Sequence, residues 1–438
     1  MGVIMKDTCI CWMKKTIDKI AYDNLHDGSS SYDLDNNFRE VLDKLLKDFN
    51  RSFPEGFTEL LKRSSYDGND TSKAKWKYVH SKLKSIGVTV DDSHRKTIQN
   101  WINGKNIPHT NNEKTNKTRD RIFQICFALS VSIDDVNWFF NRVLFERGFN
   151  CHRMEEAVYY YCLKEHCNYE HAQQLISEIQ AFPEPETPNT EIVYTREIQQ
   201  QLDDFNTDEE LKQYFRKNKW TFRGNLVNQF AKKRINELLE RIQGKKTDRK
   251  IIKNIIDGKS FEISGCGLVV RKKLNEELYV LDTLTKKERK ELFKPLSRSW
   301  LSSNSITLKT ILTRPESEEY MRTKEINLPE KGRQNFPSQS VYSALTKKED
   351  NGKLGIDTST NYESIRKYLI LLQFYDFWCL NDEMNTYNKY LEYLDRINDL
   401  LVECGYDELY PENSYDCLFM LCSASEDPLG TLCNFLSL

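Results

Sequence analysis

No run of eighteen apolar residues occurs anywhere in the 438-residue chain, so no helix is expected to cross a membrane. Met1-Gly-Val-Ile-Met5 is too short for the apolar core of a secretory signal, and no cleavage site follows; Met5 is an alternative start. The twelve cysteines lack the close, regular spacing of a secreted disulfide framework, which points to a reduced, cytoplasmic protein. Signatures of catalysis are missing as well: no His-x-Glu-x-x-His, no Gly-x-Ser-x-Gly and no nuclease-like acidic triad with a lysine. Gly265-Cys266-Gly267 is no phosphate loop, because the Gly-Lys-Ser/Thr ending is absent. The carboxylate pairs Glu155-Glu156 and Asp203-Asp204 are adjacent in sequence and diverge, and Cys9 and Cys11 have no partner pair nearby. Cys162, His166, Cys167 and His171 form the best cluster of ligand types. On one continuous helix their two i, i+4 pairs point about 140° apart and cannot close a tetrahedron alone. Surface histidines beside buried thiols are the simpler reading. No metal, no cofactor and no enzymatic activity are expected.

What the chain does have is charge, sorted by region. The formal net charge is −2, with 39% hydrophobic, 12% aromatic and 30% charged residues, a globular composition long enough for two or three domains. From Thr71 to Ile125 twelve basic residues face four acidic ones, and from Lys212 to Lys253 fourteen face three. From Asp376 onward thirteen acids face only Lys389 and Arg396. The two basic stretches have the electrostatic footprint that a nucleic-acid contact needs, and the tail opposes them.

The first basic stretch holds Arg95-Lys96-Thr97-Ile98-Gln99-Asn100-Trp101-Ile102-Asn103-Gly104-Lys105-Asn106-Ile107-Pro108. Ile98, Trp101 and Ile102 recur at helical spacing and share one face. Ser93 is a candidate N-cap, and Gly104 with Pro108 behind it stops the helix. The other face carries side chains that hydrogen-bond base edges and phosphates. The segment from about Lys75 to Ile179 resembles the lambda-repressor-type (Xre-like) helix-turn-helix family. There a polar helix with a buried Trp ends in Gly-Lys-x-x-Pro and a further apolar helix follows, here Arg121–Leu129. The resemblance implies that Gln99, Asn100 and Asn103 read bases while Arg95, Lys96 and Lys105 hold phosphates. Trp76, Val79, Leu83 and Ile86 mark the supporting helix, closed by Gly87. Val88 to Asp92 makes the turn longer than the family pattern.

The remaining chain reads as mainly α, in units 1–180, 190–327 and 328–438 with a linker over 181–189. Cys11–Ala21 reads as a helix followed by a polar loop, and the helices from Phe38 and from Pro54 are expected to form the first helices of the helix-turn-helix domain or a lid on it. The polar stretch His109–Thr118 either tracks a phosphate backbone or is a solvated loop. Beyond it, Phe139–Asn150 resembles a helical extension that follows Xre-like domains in Gram-positive proteins, and its aromatics read as core. Pro183, Pro185 and Pro188 mark the linker. The middle unit is basic and helical, and Phe261–Leu281 alternates in a way that accommodates a small β-hairpin. Lys217, Lys219, Trp220 and Arg223 interleave cations with aromatics, as a surface for RNA or single strands does; a lysine-rich helical hairpin docking the acidic tail fits equally.

In the C-terminal unit, an Arg366 helix, a helix running to Cys404-Gly405-Tyr406 and a Tyr415 helix echo the order around Arg119, Gly148 and Met154. Ile397 to Tyr410 also resembles the last helices of Xre-like domains. The tail is thus expected to be a degenerate second copy, with Ser338–Ser343 at its recognition position stripped of cations, or a chance likeness between helical bundles. The resemblance implies a reader of double-stranded DNA, a transcriptional regulator of a bacterial mobile element, forming a homodimer or holding a protein partner through its acidic unit. The alternative is a host-defence or protein-interaction component whose middle unit grips RNA or single strands.

Overall fold

The computed structural model describes residues 3–26, 36–105, 108, 117–183, 195–219, 222, 225–243, 247–263, 266–295, 362–379 and 385–437. Among them the protein is mainly helical and contains no strand. In order come α1 (Val3–His26), α2 (Asn36–Asn50), α3 (Phe53–Arg63), α4 (Ser72–Ser85), α5 (Asp92–Ile102), α6 (Lys117–Leu129) and α7 (Ile133–Phe139). The last runs into a π-helical turn over Phe140–Leu144. Then follow α8 (Met154–Lys164), α9 (Tyr169–Gln180), α10 (Thr195–Asp204), α11 (Asp208–Asn218), α12 (Asn225–Gln243), α13 (Thr247–Ile256), α14 (Leu268–Glu277) and α15 (Lys286–Pro295). The chain ends with α16 (Tyr362–Trp378), α17 (Tyr387–Glu403), α18 (Ser414–Ser423) and α19 (Pro428–Ser437). No helix of the described residues is long and apolar enough to cross a membrane.

Local chemistry sets many of the ends. Ser52 and Glu55 form a capping box at α3, and Thr207 and Glu210 form another at α11, each satisfying backbone N–H groups that the first turn leaves orphaned. Within the segment that suggested a hairpin, Leu268–Glu277 is helical instead: Gly267 is the N-cap of α14, and Val270 and Leu274, four apart, are buried. Their spacing serves a helix stripe, and it outweighs the weaker alternation around them.

Three cores organise these helices. The first is shared by α3 to α11, from Phe53 to Phe215. It therefore takes in Ile198 and Leu202 of α10 and Leu211 of α11, beyond the proline-rich stretch. The second joins α12 and α16–α19 to α1 and α2 at the other end of the sequence. Its axis is α16, buried nearly all round, which marks a central helix rather than a surface one. Helix α12 lies along α16 with Ala231, Ile235, Leu238 and Ile242 inside. The third core is small and belongs to α13–α15, built on Ile252, Ile255, Val270, Leu274 and Phe293.

The two larger units meet along a polar seam. Arg142 and the Ser414 hydroxyl both donate to Asp48 Oδ2, at 2.9 and 2.8 Å, and the Asn413 amide donates to Asn141. Arg147 pairs with Asp407 and approaches Glu363. Phe145, adjacent to this seam, is buried in the second core.

Two polar clusters flank that seam with similar wiring. In one, Arg119 of α6 grips Glu156 of α8 through Nε and Nη2 (2.9 and 2.8 Å) and donates to the Gly148 carbonyl. The Asn150 N–H donates to Glu156 Oε2 at 2.8 Å. In the other, Arg366 of α16 grips Asp416 of α18 with both terminal nitrogens (2.7 and 2.6 Å) and donates to the Glu408 carbonyl. The Tyr410 N–H donates to Asp416 Oδ2 at 2.8 Å. Each carboxylate takes a charged fork and a backbone donor together, the arrangement that makes a buried ion pair tolerable.

Candidate nucleic-acid interface

The candidate recognition helix α5 is placed by its caps and by one aromatic. Asp91, not Ser93, is the N-cap: its carboxylate accepts the His94 N–H at 2.6 Å, and that bond holds its pKa below the usual carboxylate range. The helix thus begins two residues earlier than expected, because an ionised carboxylate at the N-terminus outcompetes a hydroxyl further in. At the other end Gly104 turns left-handed (φ +67°), its N–H donating to the Trp101 carbonyl and that of Lys105 to Asn100. A Cβ there would be strained and would sit 3.1 Å from Pro54 Cγ.

Trp101, 3% exposed, meets Phe53 edge-on with ring centroids 6.2 Å apart, and Phe53 in turn contacts Phe57 and Phe139. Ile98 and Ile102 are buried beside it. Helices α3 and α4 both pack on α5, so two elements fix its pose.

The outer face is open. Arg95, Lys96, Asn103 and Lys105 are exposed, and Gln99 and Asn100 are half-exposed. Arg95 pairs with Asp92 at 3.1 Å on the surface. Among the described residues, no side-chain hydrogen bond engages Gln99, Asn100 or Asn103. The stretch His109–Asn116 lies outside the described residues.

Arg121 is the residue that sequence reasoning did not single out for the site. From α6 its guanidinium reaches Thr97 Oγ1 at 3.4 Å, placing a cation against the flank of α5. No local spacing announces a contact across 24 residues. It also bears on His94, buried at the first turn of α5: burial first, and then the Arg121 charge, push the imidazole pKa down.

The local charge excess is smaller on the surface than in the sequence. Lys75 is buried and spends its ammonium on Thr58 and Asp70, both at 2.6 Å. Arg119 is enclosed by Glu146 and Glu156. Neither can face a phosphate.

The second candidate surface is divided. Lys217 is exposed, whereas Lys219 donates to the Phe182 carbonyl at the end of α9. Arg216 stacks over Phe182 at 4.6 Å, and Phe215 meets Phe222 at 4.5 Å, so these aromatics serve packing. Trp220 and Arg223 lie outside the described residues. Further along, α12 pairs Arg234 with Glu403 (2.6 Å) and Arg241 with Asp376 (2.9 Å), turning part of the basic middle stretch onto the acidic unit.

The cysteine–histidine cluster is not on one helix. Helix α8 stops at Lys164, His166 takes a left-handed turn, and α9 starts at Tyr169. The Cys167 thiol donates to the Glu165 carbonyl at 3.9 Å, burial raises the pKa of both Cys162 and Cys167, and His171 meets Asp208 at 3.0 Å. No group of three or more ligand side chains placed to hold a metal occurs among the described residues.

No protein-family profile, curated protein or solved structure matches the chain.

Proposed function

We propose that the protein reads double-stranded DNA through α5, as an Xre-like helix-turn-helix does, and acts as a regulator. One observation carries the reading. On a helix whose back is locked by Ile98, Trp101 and Ile102, three amides and three cations (Gln99, Asn100, Asn103; Arg95, Lys96, Lys105) stand at the surface. Such a face suits a major groove: amides offer paired donors and acceptors to base edges, and flanking cations hold phosphates and set the register. A rigid back matters, because base readout needs the amides held in place rather than on a mobile loop. The six-residue connection between α4 and α5 sets their crossing by the packing of Val79, Leu83 and Ile98 rather than by a tight turn.

The three-part organisation fits this role: a reader unit at 53–215, a small basic helical unit, and an acidic unit that cannot itself approach a phosphate. Selection from random duplexes tests the reading directly. Enrichment of a defined sequence that Gln99→Ala or Asn100→Ala relaxes at one or two positions supports it. No enrichment from wild type overturns it. The rival, RNA or single-strand gripping by the middle unit, is weakened by Lys219, Phe215 and Phe222 being spent on packing.

A further inference from the structure

We infer that the chain is an internal dimer: the unit around α16–α19 is a second copy of the unit around α6–α9, standing where a second subunit would. It follows that each molecule carries a single cationic reader and binds an unsymmetrical duplex site one to one, not a palindrome as a homodimer. This second part rests on the DNA reading proposed above.

The register is the first ground. Counting back from Glu156 and from Asp416, the same features fall at the same positions. Eleven residues before, Phe145 and Gly405 both take left-handed backbone (φ 54° and 77°) just after a helix. Eight before, the Gly148 and Glu408 carbonyls each accept from the clamping arginine. Six before, the N–H groups of Asn150 and Tyr410 both donate to the carboxylate. Two before, Met154 and Ser414 each begin a helix. A fork, a carbonyl, an amide and a left-handed residue in one register are far more specific than a likeness between helical bundles.

Some of the helix contacts repeat as well. Helix α6 packs on α4 and α9, and α16 packs on α12 and α19. Helix α3 packs on α7, and α1 packs on α17. In the second copy the outer helix comes from the N-terminus of the chain, which ties the two copies together.

The seam is the third ground. Arg147 and Asp407 hold the same position in the two registers, nine residues before the carboxylate, and they bind each other. Equivalent positions meet on an axis relating two copies, and this one pair does so, whereas the Asn413–Asn141 and Ser414–Arg142 bonds have no reciprocal pair. Asn141, Arg142 and Phe145 of one unit and Asn413 and Ser414 of the other are consumed in this contact. The face that a homodimer of such units would use is already occupied.

The test uses the full-length chain. Light scattering coupled to size exclusion gives the mass of the free protein, and the same measurement on its complex with a selected duplex gives the stoichiometry. One chain free and one chain per duplex are expected. A free homodimer, or two chains per duplex on a palindrome, overturns the inference. A monomer that binds no duplex at all sinks the DNA reading while upholding the internal dimer. A second readout follows Arg147→Asp in thermal unfolding. The single transition of the wild type is expected to split as the halves uncouple, and adding Asp407→Arg is expected to restore one transition. A variant that unfolds as the wild type does overturns the role given to this contact.

Discussion

Replacing Arg95 and Lys96 together by alanine removes two exposed cations and leaves Ile98, Trp101 and Ile102 where they are, so the field changes while the fold stays. Each phosphate neutralised releases counterion and contributes about −0.9 to the slope of log affinity against log salt. Two lost contacts flatten that slope by about 1.8, so between about 50 and 200 mM salt the wild type should lose roughly twelvefold more duplex affinity than the variant does. The surface pair between Arg95 and Asp92 subtracts little from this, since an exposed ion pair opens at small cost. Anisotropy titrations of a labelled duplex across a salt series, with circular dichroism to confirm the fold, supply both numbers. Identical slopes would refute the placement of phosphates on this helix. Lys217→Ala serves as the control and should leave the slope unchanged.

Trp101→Ala removes the anchor of α5 from beside Phe53 and should cost about 3–5 kcal/mol of stability, abolishing duplex binding by loss of the reader's pose; a folded variant that still binds duplex contradicts this. Glu156→Gln leaves Arg119 buried with Glu146 as its remaining carboxylate, and Asp416→Asn takes from Arg366 the carboxylate it forks. Each should cost about 3–5 kcal/mol in chemical denaturation. His94, with its pKa lowered, contributes stability that is complete above its ordinary value of 6.5 and is lost as pH falls through the lower folded value. Asp120 works in the opposite sense: burial raises it to about 6, so its contribution is complete below 3.8 and is lost as pH rises through 6. The difference between wild type and His94→Gln isolates the histidine and should shrink as pH falls below 6.5; a difference that does not vary with pH refutes its role.

The packing face of α5 was legible because it is local: three apolar residues at helical spacing need no other part of the chain to declare themselves. Its start was not, because Asp91 and Ser93 are both good caps, and only the geometry of the turn decides which carries the helix. Charge counting misled for a related reason. Lys75 and Arg119 count as cations in the sequence and as interior partners in the fold, and nothing in their immediate neighbours distinguishes them from Lys73 or Arg121. Nor does composition reveal that α1 and α2 leave the reader unit to pack on α17 and α18, since their partners lie hundreds of residues away. The basic stretch around Arg234 reads as a nucleic-acid surface until its apolar stripe is seen lying on α16.

On the internal-dimer reading, the likeness between the two halves explains why a copy would hide from sequence. What the halves share is a position for a charge and the backbone groups that satisfy it. A shorter carboxylate at Asp416 does the work of Glu156, and Gly405 takes the left-handed turn that Phe145 takes. The clamp also tolerates insertion: arginine and carboxylate are 37 residues apart in one half and 50 in the other. Part of the difference is absorbed where α16 and α17 outrun α6 and α7. Residue identity differs at almost every position of this register, while the requirement that a buried guanidinium find a carboxylate, a carbonyl and a neighbouring amide is common to both halves. Such a requirement constrains geometry far more tightly than it constrains spelling, so the register of hydrogen bonds preserves a relationship that the letters no longer show.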